Sequence, residues 1–262
     1  MSTIEKNHPF PSRLYQFVLA LVVSALVCAV IFALLPFELG DISMEGIKDA
    51  AAYIETLSIF AGIGLFVFVI VTAINKKRGT KLYRRTHWTL GRSEVRVTLF
   101  AVIALALLHF GLFYPLKYLI SGFPEEISQV STGLIAFSAM APFVEEPLFR
   151  WTLLNGLLAR YKAFVAILIS SLAFMLAHSP HTFFSSFIVG LVLGYVFYRT
   201  KSITACIAVH LVTNLLSIFL LSRITYFRSM AFCVALVALS CVCVAVVAAV
   251  LCKNAGFQRK NS

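Results

Sequence analysis

The chain has 262 residues, of which 60% are hydrophobic and only 13% are charged, and its mean hydropathy is +0.93. Because soluble globular domains of this size do not normally have such a composition, we expect a polytopic membrane protein. The formal net charge of +11 could indicate nucleic-acid binding, but the basic residues lie between apolar runs and form no single face or tail. This distribution favours a role in membrane topology and excludes nucleic acid as the expected partner.

Eight apolar runs are long enough to cross roughly 30 Å of hydrocarbon as helices. They lie near residues 13–36, 51–74, 95–120, 131–160, 162–178, 181–198, 202–221 and 229–252. We therefore predict an all-α transmembrane helix bundle of about eight helices. No internal repeat or soluble segment is visible, so we expect a single membrane domain over residues 1–262.

The connections between the runs alternate in charge, and this alternation predicts the orientation. Of the 22 Lys and Arg residues, four would lie outside (Lys48, Lys117, Arg223 and Arg228), and Arg150 lies within a run. The other seventeen fall on one side if both termini are cytoplasmic. Because cytoplasmic loops are enriched in Lys and Arg, we predict that both termini lie in the cytoplasm.

The run 131–160 contains two adjacent carboxylates, Glu145 and Glu146, followed by Arg150. Charged groups at membrane depth are costly and usually mark a functional site. Glu146 and Arg150 are four residues apart, so we predict an ion pair on one helix face, whereas Glu145 is rotated by about 100° and lacks that partner. Pro142 and Pro147 predict a kink near the glutamates. A purely structural ion network would explain this motif alone equally well.

Two later runs supply further polar groups, although His210 in the second of them is predicted to lie several ångströms closer to the cytoplasmic side than Glu145. His178 ends the run 162–178, and an antiparallel pairing with 131–160 would place it at a height similar to that of Glu145, about 22–24 Å from the turn between them. His210 and Asn214 are four residues apart and share one face of the run 202–221. The structural alternatives are an interfacial histidine and an interhelical hydrogen bond.

The ordered set E-E-x-x-x-R (Glu145, Glu146, Arg150), F-x-x-x-H (Phe174, His178) and H-x-x-x-N (His210, Asn214) resembles the CAAX-processing and bacteriocin-processing (CPBP, Abi) family of intramembrane endopeptidases, which includes type II CAAX prenyl proteases. The resemblance covers residues 141–214, within a motif-bearing core of about 131–221. The chain has Pro147 where the family usually has an aliphatic residue and Trp151 where it usually has a glycine.

The resemblance implies a peptidase in which Glu145 is the essential base and His178 helps it to activate a water. His210 and Asn214 would stabilise the oxyanion, and Glu146 with Arg150 would form a supporting pair. Oxyanion donors of this kind contribute roughly 3–4 kcal/mol each. We favour this metal-free mechanism with no cofactor. Zinc is the alternative, with the ligands Glu145, Glu146, His178 and His210.

We therefore expect an intramembrane endopeptidase that acts on a membrane-associated peptide or protein in a lipid bilayer. The expected location is the bacterial cytoplasmic membrane, as a multi-pass protein. Two alternatives remain open: a non-proteolytic membrane regulator or scaffold of the same family, and a proton- or metal-coupled transporter, since intramembrane Glu and His residues also build ion paths. Neither the substrate nor a requirement for prenylation can be predicted from the motifs.

Overall fold

The computed structural model describes residues 8–34, 45–83, 86–121, 131–221 and 229–242. Each of the eight predicted runs corresponds to one helix or to one uninterrupted series of helical segments in these ranges. No β-strand occurs in the described ranges, which contain a single isolated bridge between His87 and Ser202. The all-α helix bundle is thus confirmed. The predicted cytoplasmic termini, 1–7 and 243–262, lie outside the described residues.

The helices follow one another with short connections. They are α1 (Leu14–Leu34), α2 (Glu45–Arg78), α3 (Arg92–Leu108), α4 (Tyr114–Ser121), α5 (Thr132–Glu146), α6 (Asn155–Leu158), α7 (Ala163–Leu176), α8 (Phe183–Thr200), α9 (Ile203–Leu221) and α10 (Met230–Val242). Two π-helical segments, His109–Phe113 and Pro147–Leu154, join α3 to α4 and α5 to α6, and a 3₁₀ turn, Pro180–Thr182, precedes α8.

Four described segments are long and apolar enough to cross a membrane: Leu14–Ile31, Glu55–Arg78, Arg92–Ile120 and Pro180–Thr200. Large apolar side chains on these and other helices are exposed, among them Leu26 (63%), Phe100 (75%) and Phe164 (76%). Exposed apolar surface of this extent would be unfavourable in water and is favourable against lipid. The chain is therefore an integral membrane protein.

The chain forms two compact units. The first comprises Met1–Val102 and Val130–Leu215 and contains all the predicted site residues, and the second comprises Ile103–Gln129 and Leu216–Ser262. In the second unit Tyr118 and Cys233 are buried together, and the Tyr114 hydroxyl donates a hydrogen bond to the Ser217 carbonyl. The single membrane domain over 1–262 stays a prediction.

Two glycines allow α7 and α8 of the first unit to approach closely. A Cβ atom on Gly190 would lie 3.1 Å from Ser171 Cα, and one on Gly194 would lie 2.9 Å from Ile167 Cγ2. Small residues four apart on a helix permit such backbone approach in membranes. The glycine pair therefore fixes the position of α7, which carries Phe174.

The connections rich in basic residues meet at one end of the first unit. The Asn155 amide donates a hydrogen bond of 2.6 Å to the Leu82 carbonyl. The His87 N–H donates to the Lys201 carbonyl, and the Ile203 N–H donates to the His87 carbonyl, each at 3.1 Å. The connection after α2, the start of α6 and the turn between α8 and α9 therefore lie together, as expected if all three are on the same side of the membrane.

The segment before α1 packs at the same end. The Asn75 side chain forms two hydrogen bonds with the backbone of Phe10, accepting from its N–H at 2.9 Å and donating to its carbonyl at 2.6 Å. The Pro11 carbonyl lies directly against Gly156, where a Cβ atom would overlap it. These contacts attach the N-terminal segment to α2 and α6.

Candidate active site

The helix that carries the acidic motif changes its hydrogen-bonding pattern beside the glutamates. Glu145 and Glu146 are the last residues of α5, and the π-helical segment begins at Pro147 and includes Arg150. Proline has no N–H to donate within a helix, and π-helical segments occur frequently at functional sites. The chain stays helical from Thr132 to Leu158 through this wider segment, and the kink at the prolines stays a prediction.

Glu146 and Arg150 form the predicted ion pair, with 3.2 Å between Glu146 Oε1 and Arg150 Nη1. Both side chains are buried, with 0% and 1% of their surface exposed. The guanidinium also lies 4.1 Å from the centroid of the Phe174 ring, so its positive charge faces an aromatic π-system. Arg150 Nε and Nη2 and Glu146 Oε2 have no hydrogen-bond partner in the described part of the chain.

His210 lies between the two glutamates. Its Nδ1 atom is 2.7 Å from Glu146 Oε1, and its Nε2 atom is 3.8 Å from Glu145 Oε2. The first distance is a hydrogen bond, whereas the second is too long for one. The sequence analysis predicted Arg150 as the partner of Glu146, and His210 is a second partner that it did not predict. Glu146 binds both Arg150 and His210, because α9 approaches α5 on the face that carries the ion pair.

The contact with Glu146 determines which nitrogen of His210 carries a proton. An ionised carboxylate only accepts hydrogen bonds, so Nδ1 is the donor toward Glu146. In the neutral ring Nε2 then has a lone pair that faces Glu145. Nε2 and the Glu145 carboxylate can attract each other only if one of them carries a proton.

The two glutamates differ in their access to the surroundings. The Glu145 side chain is 23% exposed, and the Glu146 side chain is fully buried. Glu145 is therefore the more accessible of the two glutamates, although its Oε2 atom, which faces His210, is buried.

His178 follows the end of α7, where its Nδ1 donates to the Phe174 carbonyl at 2.8 Å. Its ring packs against the Phe174 ring with 4.5 Å between centroids. His178 is half-buried, and no hydrogen bond or ion pair joins it to Glu145 in the described part of the chain. Because Nδ1 is the donor, Nε2 of the neutral ring remains an acceptor.

Asn214 is one turn beyond His210 on α9. Its Nδ2 atom donates a hydrogen bond of 3.0 Å to the Ser138 carbonyl of α5. The structure thus brings Glu145, Glu146 and His210 together, and it places Asn214 on the backbone of the helix that carries the glutamates.

Phe174 is the residue whose importance the motif analysis missed. Its ring contacts Arg150 and lies 4.5 Å from the His178 ring and 5.7 Å from the His210 ring, so it fills the space between the ion pair and both histidines. It is 1% exposed. The F-x-x-x-H spacing was a signal for this role, since residues four apart on a helix share a face.

The four candidate zinc ligands make contacts that leave both histidine Nε2 atoms free. Nδ1 of His210 binds Glu146 and Nδ1 of His178 binds the Phe174 carbonyl, an arrangement that metal-binding histidines also have. Among the described residues, no group of three or more His, Cys, Asp or Glu side chains is spaced to hold a metal. A tetrahedral zinc site needs ligand atoms that converge on one point.

Trp151, which stands at the family's usual glycine position, binds the connection between α2 and α3. Its Nε1 donates to Thr86 Oγ1 at 2.6 Å, and its ring lies 4.5 Å from Tyr83 and 5.3 Å from Trp88. Burial raises the pKa of the Tyr83 phenol, and a hydrogen bond to Thr152 partly offsets this. The departure from the family pattern therefore has a structural role at the end of the unit that carries the basic connections.

Residues 127–216 match the type II CAAX prenyl endopeptidase Rce1-like family. The matched segment, about a third of the chain, contains every predicted site residue, and it confirms the family resemblance of the three motifs. The matched family is one of peptidases. No curated protein and no solved structure matches the chain.

Proposed function

We propose that this protein is an intramembrane endopeptidase that hydrolyses a peptide bond of a membrane-associated peptide or protein. The observation that carries the proposal is the position of His210 between a buried Glu146 and a partly exposed Glu145. This arrangement has the parts that amide hydrolysis needs: an accessible base, a proton carrier beside it, and a buried group that orients the carrier.

Glu145 is the proposed general base, because it is the glutamate that a substrate and a water can reach. It removes a proton from the water, whose oxygen attacks the carbonyl carbon of the scissile bond. The proton passes from Glu145 to Nε2 of His210 and then to the leaving nitrogen as the C–N bond breaks. The protonated imidazole is stabilised meanwhile by Glu146, which binds Nδ1.

Glu146 and Arg150 are the proposed supporting pair. Arg150 compensates the charge of Glu146, and Glu146 orients His210 through Nδ1. A histidine held by a carboxylate at one nitrogen presents the other nitrogen in a fixed direction, as in hydrolases with a Ser-His-Asp triad.

His178 and His210 have separate proposed roles. His178 Nε2 is an acceptor and is suited to hold the attacking water beside Glu145. His210 Nε2 becomes a donor once it is protonated, and it is then suited to stabilise the oxyanion. The resemblance assigns the second oxyanion donor to Asn214, one N–H of which is bound to the Ser138 carbonyl.

The substrate class follows from the membrane setting and the matched family. We propose a prenylated or otherwise membrane-anchored peptide, cleaved without a metal in a bacterial cytoplasmic membrane. A suitable probe is a farnesylated CAAX peptide with a fluorophore and a quencher on either side of the expected bond, together with its unprenylated counterpart.

The test is hydrolysis of both peptides by the purified protein in detergent micelles. We expect the native chain to cleave the farnesylated peptide, and Glu145→Gln to lower kcat by roughly 10²–10⁴-fold, because a general base contributes that much. Glu55→Gln is the matched control, since Glu55 is an exposed carboxylate of α2 outside the site, and it should keep native activity. Native kcat in Glu145→Gln would contradict the proposal.

A further inference from the structure

Pro142 lies in the interior of α5, between Ser138 and the two glutamates. In an α-helix the carbonyl of each residue accepts a hydrogen bond from the N–H four residues later. The donor for the Ser138 carbonyl would therefore be the N–H of residue 142, which proline lacks. In a membrane such a carbonyl needs another partner, because lipid supplies no donor.

Asn214 supplies that partner. Its Nδ2 atom donates to the Ser138 carbonyl at 3.0 Å, from the face of α9 that also carries His210. One turn away, His210 binds Glu146 at 2.7 Å. Two hydrogen bonds thus join the same two helices on either side of Pro142, and the two members of the H-x-x-x-N motif each make one of them.

We propose that Pro142 and Asn214 form a positioning pair: the proline frees the Ser138 carbonyl, and Asn214 binds it and thereby sets the rotation and depth of α9. His210 is then presented to Glu146 and Glu145 together. Asn214 is a positioning residue in this assignment, through the one N–H that binds the Ser138 carbonyl. Its effect on catalysis rests on the proposed function, whereas the hydrogen bond and its dependence on Pro142 do not.

The pair has a consequence that separates it from a direct catalytic role. In Pro142→Ala the Ser138 carbonyl regains a backbone donor, which competes with the Asn214 amide. Replacing Asn214 should therefore lower kcat less when residue 142 is not proline. An oxyanion donor would be needed equally in both backgrounds, because it acts on the substrate.

Hydrogen exchange of asparagine side chains tests the bond without any substrate. The chain has six asparagines, so selective nitrogen-15 labelling gives few side-chain signals, and that of Asn155 is an internal control because it binds the Leu82 carbonyl. We expect the Asn214 amide protons to exchange into deuterium oxide about fivefold faster in Pro142→Ala, as for the loss of one hydrogen bond. The Asn155 signal should not change.

Pro147→Ala is the matched control, since it restores a donor for a different carbonyl and should leave the Asn214 signal unchanged. An unchanged Asn214 signal in Pro142→Ala, with Asn155 also native, would overturn the proposal. The nitrogen-15 shift of His210 Nδ1 gives a second readout: Asn214→Ala should move it, because the bond to Glu146 loosens. If that shift stays native, Asn214 does not position His210.

A double-mutant cycle on kcat with the farnesylated peptide completes the test. We expect Asn214→Ala to lower kcat by about tenfold or more in the native background, but by less than about threefold beside Pro142→Ala, because contacting residues are non-additive. Equal losses in both backgrounds would assign Asn214 a direct catalytic role. If the native chain cleaves no peptide, the proposed function fails, and the exchange measurement alone decides the positioning pair.

Discussion

The buried pair of Glu146 and Arg150 has different consequences for stability and for catalysis. Two charges taken out of water lose hydration, and their mutual attraction repays this loss only in part. Apolar residues of similar volume at these two positions would therefore stabilise the folded state equally well or better. Only the ionised carboxylate, however, can orient His210 through Nδ1.

Replacing one or both partners should separate these two effects. We expect Glu146→Leu to lower the free energy of unfolding by about 3–5 kcal/mol, because Arg150 remains as an unpaired buried charge. The double variant Glu146→Leu/Arg150→Met should regain most of that stability, yet hydrolyse the peptide no better than the single variant. Thermal unfolding in detergent and kcat measure the two quantities. A double variant with native kcat would contradict the role of Glu146 in orienting His210.

The absence of a metal requirement is a second prediction at the level of single residues. Among the described residues, no group of three or more His, Cys, Asp or Glu side chains is spaced to hold a metal. We expect kcat to be unchanged after dialysis against a zinc chelator such as phenanthroline. Loss of activity that added Zn²⁺ restores would show that the site rearranges around a metal and that the glutamate mechanism is wrong.

At the level of helices, the closeness of α7 and α8 controls where Phe174 and His178 lie. A Cβ atom on Gly190 would be 3.1 Å from the Ser171 backbone, so Gly190→Ala must separate the two helices. We expect a loss of about 1–3 kcal/mol in the free energy of unfolding, as for overpacked sites. Gly64→Ala is the control, since its Cβ would meet Val144 Cγ1 at an ordinary 3.4 Å. Equal thermal stability of the two variants would contradict this account.

The predictable parts of the fold and site are those set by local periodicity. The eight helices follow from apolar runs, and the pair of Glu146 with Arg150 follows from a spacing of four. Contacts between helices are different, because rotation about each helix axis depends on packing. For this reason the bond between Glu146 and His210 was missed. Pro142 is a local signal that the Ser138 carbonyl lacks a backbone donor. The helix that supplies the replacement donor, however, depends on the tertiary fold.

At the level of the first unit, the connections rich in Lys and Arg predict how the unit is oriented in the membrane. The start of α6 and the turn between α8 and α9 are each hydrogen bonded to the connection after α2. They must therefore face the same side of the membrane, and their Lys and Arg content predicts that this side is the cytoplasm. Glu145 is fifteen residues before Arg160, at most about 22 Å along the helix, so this orientation predicts that the glutamates lie in the outer half of the hydrocarbon.

Labelling of single cysteines from either side of the membrane tests this orientation. In a chain without its six native cysteines, Ser93→Cys at the start of α3 should react with an impermeant maleimide only from the cytoplasmic side, and His181→Cys before α8 only from the other. Both positions are exposed, so reagent access is not limiting. The reverse pattern would show that the basic connections face outward and would place Glu145 in the cytoplasmic half. The labelling therefore also determines the side of the membrane that is nearer to the proposed base.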